Sequence, residues 1–234
     1  MNPPSTTIAH LVTPYLFQTG SWIHSQLTHN HEFRLIVVTQ QTDHAAAFPF
    51  DPVFDLAPRA RGAARPWFLF SKFVLGRFPA RPYREIFRRE GVRLVHAHLG
   101  WEGARTAHVA RCPRLPFVVS FYGRDAGLLP RKAYWRVLYK RLFATADRVL
   151  AEGPHMGRVL AEIGAPPNRV RVVHLGIPLS EFLFAERCDP GDDPVVGLIA
   201  ASFREKKGIS YALEAVARLA PKHPRLRLRI IGDG

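Results

Sequence analysis

Residues 195–234, VVGLIAASFREKKGISYALEAVARLAPKHPRLRLRIIGDG, decide the fold class. Val195–Ala200 is an apolar run of strand length, and Ser202–Gly208 is a basic turn. Ile209–Ala220 then carries apolar residues at 209, 212, 213, 216, 219 and 220, the spacing of one helical face. Leu226–Ile231 is apolar again and closes on Gly232, Asp233 and Gly234. The stretch predicts strand, helix and strand, the crossover unit of a parallel sheet. It ends in a glycine turn of the kind that meets phosphate. No helix follows that turn, so the chain is expected to stop inside a second domain. The apolar surface left there is expected to favour aggregation.

The same alternation runs back to the amino terminus. Strands are predicted at Ile8–Val12, Phe33–Thr39, Val92–Ala97, Phe117–Phe121, Arg148–Ala151 and Val170–His174. Helices are predicted at Trp22–His29, capped by Ser21, and at Pro82–Glu90, Glu102–Ala110, Lys132–Thr145 and His155–Ile163. Residues 40–65 read as irregular, broken by Pro49, Pro52 and Pro58. Short apolar strands alternating with amphipathic helices imply an α/β fold with a parallel sheet covered on both faces. A doubly wound domain is expected over residues 1–175, a linker over 176–193 and a second, incomplete domain from 194 to 234.

Composition narrows the partners. Hydrophobic residues make up 47% of the chain, enough for a packed core. The net charge of +14 favours nucleic acid, acidic lipid headgroups or phosphorylated substrates, although an arginine-rich genome would also raise it. A nucleic-acid-binding protein is one rival reading. Against it, the basic residues are dispersed among α/β elements, without a helix-turn-helix, zinc-finger or RNP pattern. Cys112 and Cys188 form no CxxC, so reduced cytoplasmic thiols are expected. No signal peptide is read in the polar Met1–Thr7. Pro66–Phe78 is strongly apolar but contains Lys72 and Arg77 and falls short of the roughly 20 residues a spanning helix needs. Between 59 and 93, ten arginines and lysines face two acids beside the aromatic run 67–73. With the basic helix Lys132–Thr145, this suggests a face for an anionic membrane surface, while ordinary core packing also accounts for that helix.

In a doubly wound sheet, ligands bind beyond the carboxyl ends of the strands. Gly20 and Ser21 open a helix whose free N–H groups suit a phosphate or a polar sugar. His96 and His98 stand two apart at a strand end and share one face; a zinc pair is conceivable, but a third ligand at suitable spacing is lacking, so no metal is expected. His98, with Gly100, lines the next loop. Tyr122, Gly123, Arg124 and Asp125 follow a buried strand. Asp125 either meets a hydroxyl-rich acceptor and its proton or caps the following segment. Glu152 follows the next strand. In the carboxy-terminal stretch, Ser202, Arg204, Lys207 and Gly208 precede a helix, where cations and helix N–H groups stabilise a departing diphosphate.

Together, VRLVHAHLGWEGARTA (92–107), FVVSFYGRDAG (117–127), RVRVVHLGIPLSEF (169–182), SFREKKGISYALEAVARL (202–219) and LRIIGDG (228–234) resemble family-4 glycosyltransferases of the GT-B fold. Transferases of the colanic-acid and exopolysaccharide type look closest. The resemblance implies two Rossmann-like domains, the first for a lipid-linked or oligosaccharide acceptor and the second for a nucleoside diphosphate sugar. It implies retaining, metal-independent hexosyl transfer with no cofactor, in surface polysaccharide synthesis or lipopolysaccharide assembly at the inner membrane. Asp125, His98 and Tyr122 fall in the implied catalytic set, and Lys207 matches the family's donor-phosphate lysine. The arginine usual after the first strand of the second domain falls at Ser202, with Arg204 two residues on. Many members carry histidine where Tyr122 stands. The E-x7-E segment that contacts donor would lie beyond Gly234, so little turnover is expected of this chain alone. A sugar-nucleotide epimerase of the same fold is the nearest rival enzyme.

Overall fold

A computed structural model describes residues 6–57, 64–111, 114–186 and 191–234. Cys112 and Cys188, on which the thiol reading rests, lie outside them. The chain divides into two compact units, Met1–Leu179 and Ser180–Gly234.

The first unit is a seven-stranded sheet. Its strands are β1 (Thr7–Leu11), β2 (Arg34–Thr39), β3 (Val53–Asp55), β4 (Val92–His98), β5 (Phe117–Phe121), β6 (Arg148–Ala151) and β7 (Val170–Val172). All adjacent pairs are parallel, in the spatial order β3-β2-β1-β4-β5-β6-β7. The order reverses between β1 and β4, which makes that seam the switch point of a doubly wound sheet. Residues 40–65 are not wholly irregular. Val53–Asp55 adds the edge strand β3, whose three residues are too few for an alternation to show.

The apolar runs are nearly continuous because both faces of the sheet are covered. Ala9 and Leu11 of β1 and Ile36 and Val38 of β2 enter the larger core. Their alternates Ile8, Leu35 and Val37 belong to the smaller one. The larger core takes Tyr83, Ile86 and Phe87 from α3 (Ala80–Arg89), Tyr139, Leu142 and Phe143 from α6 (Ala133–Thr145) and Leu160 from α7 (Pro154–Glu162). The smaller core lies under α1 (Ser21–Thr28), which contributes Ile23 and Leu27. Ser21 does not cap this helix: it is the first helical residue, Gly20 holds the cap position, and no side chain bonds the end. His10, His96 and His98 alternate along β1 and β4 with Ala9, Leu11, Val95 and Ala97 of the larger core and so take the opposite face.

One helix turns an aromatic face outward. In α2 (Arg65–Phe73) only Ser71 is buried. Trp67, Phe70, Phe73 and the following Val74 are exposed, and Trp67 stacks on Phe70 with ring centroids 5.8 Å apart. Among the described residues no helix is long and apolar enough to cross a membrane.

The second unit holds β8 (Val195–Ala200), α8 (Ile209–Leu219) and β9 (Leu226–Ile231). The strands pair in parallel from Val195 against Leu226 to Ala200 against Ile231. No residue of α8 is buried, and Val196, Leu198, Tyr211 and Ile231 are exposed.

Candidate active site

The histidines converge at the switch point. Pairing of β1 with β4 sets His10 directly beside His96, and His98 lies two residues on along the same face. The ring centroids are 5.1 Å apart for His10 and His96, 5.1 Å for His10 and His98, and 4.3 Å for His96 and His98. His10 Nδ1 and His98 Nε2 are hydrogen-bonded at 2.8 Å, and His98 Nδ1 meets the Tyr122 hydroxyl at 2.7 Å. His96 Nε2 bonds the Ser120 hydroxyl at 2.8 Å. Burial pushes all three imidazoles down, His96 to about 4 and the other two well below the usual range, so each is neutral at physiological pH. The absence of a third histidine, expected from the sequence, is corrected here. His10 was missed because only the strand order brings residue 10 beside residue 96.

Tyr122 caps this chain of contacts. Trp22 of α1 packs on its ring at 5.6 Å. Burial raises its phenol above the ordinary value, opposed by the side chains of Ser120 and Gln26, with the charges of Asp125 and Glu152 adding to the rise. Glu152, at the end of β6, therefore belongs to the same neighbourhood as His98 and Tyr122. Trp22 and Gln26 were not singled out from sequence, because in α1 they read as ordinary surface positions.

Asp125 sits in the short helix α5 (Arg124–Gly127) and is fully buried. Its Oδ2 accepts the Gly100 N–H at 2.8 Å, and its Oδ1 accepts the Tyr122 N–H at 3.1 Å. Burial raises its carboxyl, offset by these backbone donors. Of the two readings open at the sequence level, the geometry is that of a tie: the carboxylate holds its own turn and the start of α4 (Gly100–Thr106) together. Gly100 is buried against the core. A Cβ there would lie 2.2 Å from Phe121 Cε1 and 2.6 Å from the Tyr139 hydroxyl, so only glycine fits. Gly123, at φ 124°, makes the left-handed turn into α5. Leu99 between β4 and α4 also has a positive φ, 77°, which strains a branched side chain at the switch point itself. Gly20 is likewise packed, 2.9 Å from the Phe17 carbonyl for an added Cβ, while the adjoining Ser21 is exposed.

In the second unit, the predicted phosphate residues share one turn. Arg204 precedes the single-turn helix Glu205–Lys207, and Gly208, at φ 67°, caps α8. The Lys207 N–H donates to the Arg204 carbonyl at 2.8 Å, and Arg204 N–H to the Ser202 carbonyl at 2.8 Å. Arg204, Lys206 and Lys207 are exposed beside a helix start.

An ionisable group behind the site gives a pH signature. Glu102, in the first turn of α4, is fully buried. Burial raises it from 4.5 to about 8, opposed only in part by Thr13, Arg105 and Lys72. The unfolded chain releases this proton near pH 4.5 and the folded one near pH 8. Stability is therefore expected to fall as pH rises across that window, by about 1.4 kcal/mol per pH unit at most, and to level above it. Glu102→Gln should flatten the slope in urea unfolding between pH 5 and 8; an unchanged slope would place the titration elsewhere.

The sequence model described as Glycosyltransferase Family 4 matches residues 23–181. WcaL of Salmonella typhimurium, named for colanic acid biosynthesis as a glycosyltransferase, is 27% identical over 140 residues. The match takes in 59% of this chain and 34% of that protein, so the chain spans about a third of this curated relative. Among solved structures, Anabaena Alr3699/HepE in complex with UDP and glucose superposes with a TM-score of 0.66 at 14% identity, covering 97% of this chain and 61% of its own. A UDP-N-acetylglucosamine 2-epimerase from Rickettsia bellii gives a TM-score of 0.51 at 15% identity, covering 98% and 62%. At such identities the structural likenesses speak for the GT-B fold alone. The family match, which runs from α1 past β7, shows that the chain belongs to glycosyltransferase family 4.

Proposed function

We infer that this chain serves retaining transfer of a hexose from a nucleoside diphosphate sugar to a lipid-linked or oligosaccharide acceptor in bacterial surface polysaccharide synthesis. The observation that carries this reading is the convergence of His98, Tyr122 and Glu152 at the carboxyl ends of β4, β5 and β6, beside the switch point. In this reading, His98 orients the Tyr122 hydroxyl, which presents a neutral hydrogen-bonding group to the sugar. Asp125, Gly100 and Gly123 hold the loops that carry them. Gly20, Ser21 and Glu152 border the acceptor. In the second unit, Lys207 and Arg204, with Ser202, Gly208 and the start of α8, take the donor diphosphate. Charge on the leaving diphosphate is then met by side chains and helix N–H groups, without a metal or cofactor. The relatives' names and the UDP bound by HepE support a nucleotide-sugar donor.

The test is nucleoside diphosphate release from UDP-sugars by the full-length gene product, with and without oligosaccharide or lipid-linked acceptors. Acceptor-dependent release supports transfer. Interconversion of the donor without acceptor would instead select the epimerase, which several fold neighbours are. The exposed aromatic face of α2, with Arg65, Lys72 and Arg77 about it, supports a cytoplasmic protein seated peripherally on an anionic inner membrane, with no nucleic-acid partner. Co-sedimentation with phosphatidylglycerol vesicles is expected to drop about tenfold in a Trp67→Ser, Phe70→Ser variant. Equal sedimentation of variant and parent would remove α2 from the membrane contact.

A further inference from the structure

We propose that His10, His96 and His98 form a binding site for one divalent transition-metal ion, with zinc the best fit. Each residue offers a ring nitrogen, and the three nitrogens lie within 4.8 Å of one another. Around tetrahedral zinc, with bonds of roughly 2.0–2.1 Å, ligand nitrogens stand about 3.3 Å apart, so small side-chain rotations close the set. A borderline cation of this kind takes neutral imidazole, which is the state that burial imposes on all three rings.

Two observations beyond the clustering point to a ligand. First, two of the rings already have the outer partners that metal-bound histidines carry. His96 Nε2 is hydrogen-bonded to the Ser120 hydroxyl at 2.8 Å, and in the tautomer with the proton on Nε2 this leaves Nδ1 for the ion. His98 Nδ1 is hydrogen-bonded to the Tyr122 hydroxyl at 2.7 Å, and in the tautomer with the proton on Nδ1 this leaves Nε2. Such bonds fix the tautomer and aim the free lone pair. Second, His10 Nε2 is buried with no hydrogen-bond partner. The hydrogen bond of His10 Nδ1 with His98 Nε2, 2.8 Å long, gives way when His98 Nε2 turns to the ion, and the unpartnered His10 Nε2 is the lone pair left to ligate it. His96 is only half buried and gives the ion its approach, with the fourth position left to water. The strands β1 and β4 supply all three ligands from rigid backbone, so the geometry does not depend on a loop.

The site shares His98 with the transfer reading above, but the test reads metal binding rather than activity, so either reading can fail alone. The chelator-treated chain is titrated with cobalt(II), followed by zinc(II). One equivalent of cobalt is expected to give the intense visible bands of a four-coordinate nitrogen site, and zinc is expected to displace it. His10→Ala and His96→Gln should each weaken binding by about 100-fold, while His29→Ala, at an exposed position, should leave it unchanged. Far-UV circular dichroism checks the fold of each variant. If His10→Ala unfolds, the half-buried His96→Gln decides. Absence of stoichiometric binding overturns the site, as does binding that survives His96→Gln in a folded protein.

Discussion

Asp125→Ala is expected to cost the first unit about 2–6 kcal/mol, enough to unfold it or to bring its denaturation midpoint sharply down. The carboxylate accepts two backbone N–H groups, Gly100 at 2.8 Å and Tyr122 at 3.1 Å, in a fully buried place. Alanine leaves both donors without an acceptor, and each buried unsatisfied donor costs about 1–3 kcal/mol. Gly100 begins α4 and Tyr122 follows β5, so the loss frees both loops beside His98. Asp125→Asn separates this role from proton transfer. An amide keeps one acceptor oxygen but turns an N–H toward a backbone N–H, so about half of the penalty should remain. Urea unfolding of the three proteins checks the order wild type, asparagine, alanine. A fully stable alanine variant would show that the tie is dispensable and return Asp125 to the candidate acids and bases.

Lys207→Ala is expected to lower nucleotide-sugar binding or turnover by about tenfold or more, the loss of one charge-assisted bond to phosphate. Lys207 closes the turn that Arg204 opens, immediately before Gly208 and α8, so its ammonium and the free helix N–H groups belong to one positive site. Lys206→Ala next to it is the control for bulk charge. If both variants lose equally and the loss vanishes at high salt, the turn acts only through its field. If Lys207→Ala binds UDP as the parent does, Lys207 leaves the donor site.

Much of the first unit was readable before any coordinates. Strands Phe117–Phe121 and Arg148–Ala151 fall where the apolar runs put them. Others shift by a residue or two at their ends, as with β1 at Thr7–Leu11. Three particulars were not readable. Val53–Asp55 is a strand only because β2 lies beside it. The start of α1 falls on Ser21 rather than after it, since Gly20 supplies the turn and the serine makes no cap. Tyr139, within the helix predicted at Lys132–Thr145, proves wholly buried, its hydroxyl donating to the Asp125 carbonyl at 2.8 Å.

The sequence by itself determined the class of fold and the loops worth searching. Strand and helix periods are local, and a parallel sheet obliges ligands to its carboxyl ends. It also determined which residues carry charge at the Ser202–Gly208 turn, since those are consecutive. Only the tertiary structure decided which of the candidates touch. His10 and His98 are 88 positions apart, and their 2.8 Å contact exists because β1 and β4 are neighbours across the reversal of strand order. The tie from Asp125 to Gly100 spans 25 positions and depends on β4 and β5 lying side by side. Periodicity says which face a residue takes. Which residue it meets on that face is set by strand order and register, and no local pattern encodes them.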